Sequence, residues 1–187
     1  KLIEYIKSNQ GDGKPYFAYA AYTAPHWPLQ LPLEALEKGN VWQKKFHAYE
    51  AQYRAGFDVL SKRRLAQMKR LGIVSRHTEP NSWDEYGGDD GIPAWNSLSI
   101  QERKIKAREM AIYAVMVEYM DYQIGRLLEH VDQDNTIVVF MSDNGAEATE
   151  PTHYWEMTPD PNSVIEYENL LKTIAGTDDY NGYDNLG

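Results

Sequence analysis

The chain contains no cysteine. Within its 187 residues that excludes disulfides, thiolate metal sites and a cysteine nucleophile. No apolar stretch approaches the ~20 residues needed to cross a bilayer, so no membrane span is expected. Positive charge is scarce as well: 19 Lys and Arg stand against 28 Asp and Glu, a net charge of −9. Binding a polyanion requires clustered Lys and Arg, so nucleic acid is not an expected partner. The one basic cluster, Lys62-Arg63-Arg64 with Lys69-Arg70, falls on an expected helix and reads as a solvated face. An initiator Met is missing too, and residues 1–7 are amphipathic and include Glu4, unlike a signal peptide. The chain is therefore expected to be an internal piece of something longer, and these residues assign it no compartment.

What is present is ordinary for a globular domain: 42% hydrophobic and 25% charged residues. Leu2, Ile3 and Ile6 have helical spacing, and Gly11-Asp12-Gly13 ends that helix. Residues 16–22 are an uncharged, aromatic-rich run bounded by Gly13, Pro15 and Pro25, which predicts a buried strand. A loop with Pro25, Pro28 and Pro32 follows, then one long polar helix over about 44–71, stopped near Gly72. Residues 75–98 form a polar insert. Ser99 with Glu102 three residues on is a capping box, and it opens a helix expected to reach about 131. Tyr113, Met116, Val117, Met120, Ile124, Leu127, Leu128 and Val131 make one apolar stripe along it. Residues 136–141 are a short apolar run suited to a central parallel strand covered on both faces. Residues 148–187 are acidic and turn-rich, with a modest helix candidate over 164–174. The alternation of helices and strands predicts a single α/β domain over 1–187. The loops at 23–32 and 142–147 each follow a predicted strand, where α/β sheets gather ligands.

Asp143-Asn144-Gly145 follows the second strand. A carboxylate next to an amide oxygen offers two hard ligands for Ca²⁺ or Mg²⁺. The same three residue types also make ordinary strand-ending turns, and Glu147 either joins such a site or faces solvent. In the earlier loop, Thr23-Ala24-Pro25-His26-Trp27-Pro28-Leu29-Gln30, prolines stiffen the backbone around one imidazole. That imidazole can donate to an anionic oxygen or protonate a leaving group near neutral pH, or it can be a histidine satisfied within a packed loop. His47, His77, His130 and His153 show no ligand spacing.

Taken together, and in this order with a helix-rich insert between them, the Pro25-His26-Trp27-Pro28 loop and the strand leading into Ser142-Asp143-Asn144-Gly145 resemble the arylsulfatase branch of the sulfatase family. The likeness covers about residues 1–147 and extends more weakly to Tyr183-Asp184-Asn185. It implies part of an alkaline-phosphatase-like fold, a mostly parallel sheet flanked by helices. The implied activity is hydrolysis of a sulfate ester substrate by a formylglycine nucleophile, with a divalent cation, usually Ca²⁺, on the sulfate oxygens. By that resemblance Asp143 and Asn144 match the later pair of metal ligands, and His26 the histidine that contacts sulfate and assists the departing alcohol. A periplasmic or secreted parent fits the resemblance.

The departures are equally specific. No Cys, and no Ser followed by x-Pro-x-Arg, occurs in the chain, so the formylglycine is expected upstream of it. The family's early Asp-Asp metal pair has no counterpart, and Lys14 and Lys172 stand in the wrong contexts for its basic residues. Ca²⁺ binding is therefore expected to be weak or absent in this piece, and the chain to be inactive alone. Self-association through uncovered strands is expected as well. Two other functions compete. One is a phosphodiesterase or phosphonate monoester hydrolase of the same superfamily. The other is a non-catalytic sulfated-glycan or anion-binding module, with which Trp27, Trp42, Trp83, Trp95 and Trp155 are compatible.

Overall fold

The computed structural model describes residues 1–26, 29, 31–32, 35, 38–80 and 93–145. The helix candidate at 164–174, the tail from 148, Glu147 and the middle of the polar insert lie outside the described residues. Helix α1 spans Leu2–Asn9 and buries Ile6. Its C-terminal neighbour Gln10 donates from Nε2 to the carbonyl of His130 at 3.0 Å, tying the end of the first helix to the end of the last.

The long helix expected over 44–71 is two helices. Helix α2 covers Val41–Tyr53, with the side chain of Asn40 accepting from Trp42 N at its N-terminus. Helix α3 covers Phe57–Arg70. They part at Gly56, whose φ of +89° lies in the region that favours glycine. The cause is distant in sequence. A 3₁₀ turn, Trp95–Ser97, brings the indole of Trp95 onto Gly56 and edge-on to Phe57, with ring centroids 5.2 Å apart. A Cβ on Gly56 would stand 2.5 Å from Trp95 Cγ. Gly56→Ala is therefore expected to cost about 2–4 kcal/mol, from positive-φ strain plus displacement of a packed ring. A urea titration checks it; an unchanged midpoint would mean the break does not depend on this packing.

Helix α4, Ile100–Leu128, starts with the expected capping box: Ser99 Oγ accepts from Glu102 N, and the Glu102 carboxylate accepts from Ser99 N at 2.6 Å. Its buried face differs from the expected stripe. Ala107, Arg108, Ala111, Ile112, Val115 and Met116 are buried, whereas Val117 is exposed and Tyr113, Met120, Ile124, Leu127, Leu128 and Val131 are half-buried. The reason is its neighbour: α4 packs along α2, and that contact buries the face carrying Arg108, Ala111, Ile112 and Val115, which meets the expected stripe at Met116. Phe46 of α2 sits among Ala111, Ile112, Val115 and Met116 in the principal core, with Leu31 beside them. Each fully buried Phe, Ile or Val contributes roughly 1.5–3 kcal/mol. No helix among the described residues is long and apolar enough to cross a membrane.

The sheet of the expected α/β layering is not seen among the described residues, which contain helices and no strand. Residues 16–22 and 136–141 run without ladder hydrogen bonds, and they are open to solvent: Phe17 is 88% exposed and Ile137 93%. A strand exists by virtue of a paired neighbour, and no described segment pairs with either run. Their composition suits a buried sheet, but the cover that composition calls for is not supplied here.

Candidate functional site

The two segments singled out by sequence directly follow the extended runs 16–22 and 136–141. Residues 23–26 form a tight turn in which His26 N donates to the carbonyl of Thr23 at 2.8 Å. His26 is exposed, while Ala24 and Leu29 lie against the α2–α4 core and Leu31 is part of it. Trp27, Pro28 and Gln30 lie outside the described residues. The imidazole therefore sits at the surface on a segment whose apolar neighbours are held from beneath.

The second segment folds on itself. Asp143 Oδ1 accepts from Asn144 N at 3.0 Å, Asn144 Nδ2 donates to the carbonyl of Gly145 at 2.8 Å, and Ser142 Oγ donates to the carbonyl of Asn144 at 2.6 Å. These local bonds fix the turn and use the amide nitrogen of Asn144 rather than its oxygen. Asp143 and Asn144 are both exposed. A carboxylate and an amide oxygen on one rigid turn fit a hard divalent cation as part of its ligand set. Among the described residues no three His, Asp or Glu side chains converge to complete one. The pair fits a cation as a contributor to a larger site.

Sequence reasoning missed two polar clusters between α2 and α4. Glu50 and Arg108 have side chains only 5% and 3% exposed, and Arg108 Nε donates to Glu50 Oε1 at 3.1 Å. Arg54 donates to the same oxygen at 2.9 Å, and His47 Nδ1 lies 3.9 Å from the other. Burial pushes the Glu50 carboxyl up, but hydrogen bonds from Arg54 and Arg108 outweigh it and hold the group below its ordinary range. Nearly three helical turns further along α4, Glu118 accepts from Lys45 and, at 2.8 Å, from Tyr49 Oη. The Lys45 hydrogen bond lowers the Glu118 pKa against a smaller effect of burial. Burial, reinforced by the neighbouring Glu118 carboxylate, pushes the Tyr49 phenol up to about 12. Both clusters join helix to helix. The signal for the first was the Glu50–Arg54 spacing on α2 and an arginine set among Ala107, Ala111 and Ile112.

Comparison with known proteins bears on both segments. A family model described as Sulfatase matches residues 1–180. The chain is 40% identical over 153 residues to an uncharacterized sulfatase of Schizosaccharomyces pombe, covering 80% of this chain and 25% of the relative. It is 37% identical over 164 residues to an arylsulfatase of Klebsiella aerogenes, covering 86% of this chain and 32% of the relative. A multifunctional alkaline phosphatase superfamily protein, PehA, of Trinickia caryophylli is 24% identical over 153 residues, covering 79% of this chain and 26% of the relative. The chain thus spans between about a quarter and a third of the length of these relatives.

Proposed function

This chain belongs to the sulfatase family, and from that premise we propose that it is part of an arylsulfatase-type enzyme that cleaves sulfate esters with a formylglycine nucleophile and Ca²⁺. The family supports hydrolysis of sulfuric esters. The observation that carries the finer reading is the pairing, on one chain 37% identical to an arylsulfatase, of an exposed His26 turn with the Asp143-Asn144 turn.

In this reading Asp143 and Asn144 give two oxygen ligands to the cation. A bound Ca²⁺ supplies fixed positive charge where negative charge grows on the sulfate oxygens. His26 donates a hydrogen bond to the ester and hands a proton to the departing alcohol, a general-acid task that an imidazole can perform. The formylglycine comes from residues other than these, because the chain has no Cys and no Ser-x-Pro-x-Arg. The 187 residues are therefore expected to be silent by themselves.

The test has two arms. Purified chain with p-nitrophenyl sulfate and Ca²⁺ is expected to show no turnover and a cation affinity on the order of 10⁻³ M or weaker. Joined to a segment carrying Cys-x-Pro-x-Arg with the cysteine converted, it is expected to turn over, and His26→Ala there to lower kcat by about 10²–10⁴. Turnover by the chain alone would overturn the assignment of the nucleophile elsewhere. A second reading, hydrolysis of phosphodiesters or phosphonate monoesters, draws on the match to the alkaline phosphatase superfamily protein. Preference of the joined enzyme for bis-p-nitrophenyl phosphate over the sulfate would select it.

A further inference from the structure

We propose that the α2–α4 helix pair is the mount that positions His26, and that Leu31 is the positioning residue that fixes the loop to it. Leu31 is 2% exposed and belongs to the same cluster as Phe46, Ala111, Ile112, Val115 and Met116. Ala24 and Leu29 pack against that cluster from either side of His26 in sequence. The turn that carries both Ala24 and His26 is closed by the His26 N–Thr23 O bond of 2.8 Å. The exposed imidazole is thus carried on a segment pinned before and after it by apolar side chains in one core. The mount itself is stiff across its width, because Glu50 on α2 and Arg108 on α4 lock the helices with a buried ion pair.

The physics distinguishes this from general packing. Ala24, Leu29 and Leu31 pack in or against the core, and burial of such side chains contributes to the free energy of local opening of the loop. Leu31→Ala removes that anchor and leaves a cavity at the loop's edge of the core. The loop then opens without the helices unfolding. The catalytic meaning of this device rests on the reading of His26 as the leaving-group acid, whereas the anchoring does not.

Amide hydrogen exchange by NMR on the ¹⁵N-labelled full chain tests it. In Leu31→Ala the His26 amide is expected to exchange at least about tenfold faster relative to the Ile112 and Val115 amides of α4. The volume-conserving Leu31→Met is expected to restore the ratio. Trp95→Phe, which loosens the distant Gly56 junction, is expected to leave it unchanged. Equal acceleration at His26 and in α4, or none at His26, would overturn the proposal. Should Leu31→Ala not fold, Leu31→Val decides by the same ratio. In the joined enzyme, Leu31→Ala is expected to lower kcat with little change in KM. A changed exchange ratio without sulfatase turnover would leave the mount standing and remove the functional reading. Turnover unaffected by the exchange change would detach the mount from catalysis and overturn Leu31 as a positioning residue.

Discussion

Glu50→Leu is expected to destabilise the helix pair by about 3–5 kcal/mol, more than Arg108→Leu, and the double replacement by far less than either single change. Removing the carboxylate leaves a guanidinium that is 3% exposed without the group its Nε donates to. Removing Arg108 instead leaves Glu50 with Arg54, whose side chain reaches the same oxygen from a largely solvent-exposed position. Replacing both with aliphatic side chains takes away the two charges together, and the desolvation they required disappears with them. A double-mutant cycle by urea unfolding measures the coupling; additive single effects would mean that the pair does not act as a unit.

The same pair sets the acid response. The folded Glu50 carboxyl lies below its ordinary value of 4.5, so the folded state favours the ionised form. That contribution is complete above pH 4.5 and is lost as the pH falls through the folded value. Glu118, lowered chiefly by Lys45, adds to the loss in the same direction, discounted for its partial exposure. Wild-type stability should therefore fall on acidification below the ordinary carboxylate range, with a shallower slope in Glu50→Gln.

Where a feature was local, the sequence disclosed it. The Ser99–Glu102 capping box depends on four consecutive residues, and it is present as expected. The family pattern around His26 and Asp143-Asn144 was legible for the same reason, because each segment is short and carries its own turn chemistry. The helix break at Gly56 was not, since its cause is an indole delivered by a 3₁₀ turn far along the chain. The buried Glu50–Arg108 pair was hidden by the general tendency of charged residues to face solvent. Residues 16–22 and 136–141 show the opposite failure. Their apolar composition suits a covered strand, but a strand is a relation between segments, and no ladder partner is among the described residues. The face of α4 misled for a related reason: two apolar faces run along it, and only contact with α2 decides which is buried.

Those two runs predict association of the chain with a second copy. Neither contains a charged residue, and Tyr19, Phe140 and Met141 are exposed like Phe17 and Ile137. Natural edges carry charges or proline to prevent pairing, and these have neither within the runs. Each begins six residues after one partner of the Gln10–His130 hydrogen bond. Covering even two such side chains contributes roughly 3–6 kcal/mol before the cost of association is subtracted. Sedimentation equilibrium should show mass rising with concentration. Phe17→Lys with Val139→Lys should weaken association at least about tenfold while leaving the thermal unfolding of the α2–α4 core unchanged, since neither site belongs to that core. Salt supplies an independent sign. Each copy carries a net charge of −9, so screening removes repulsion and association should strengthen from low to high ionic strength. A monomer at every concentration and salt level would overturn this association.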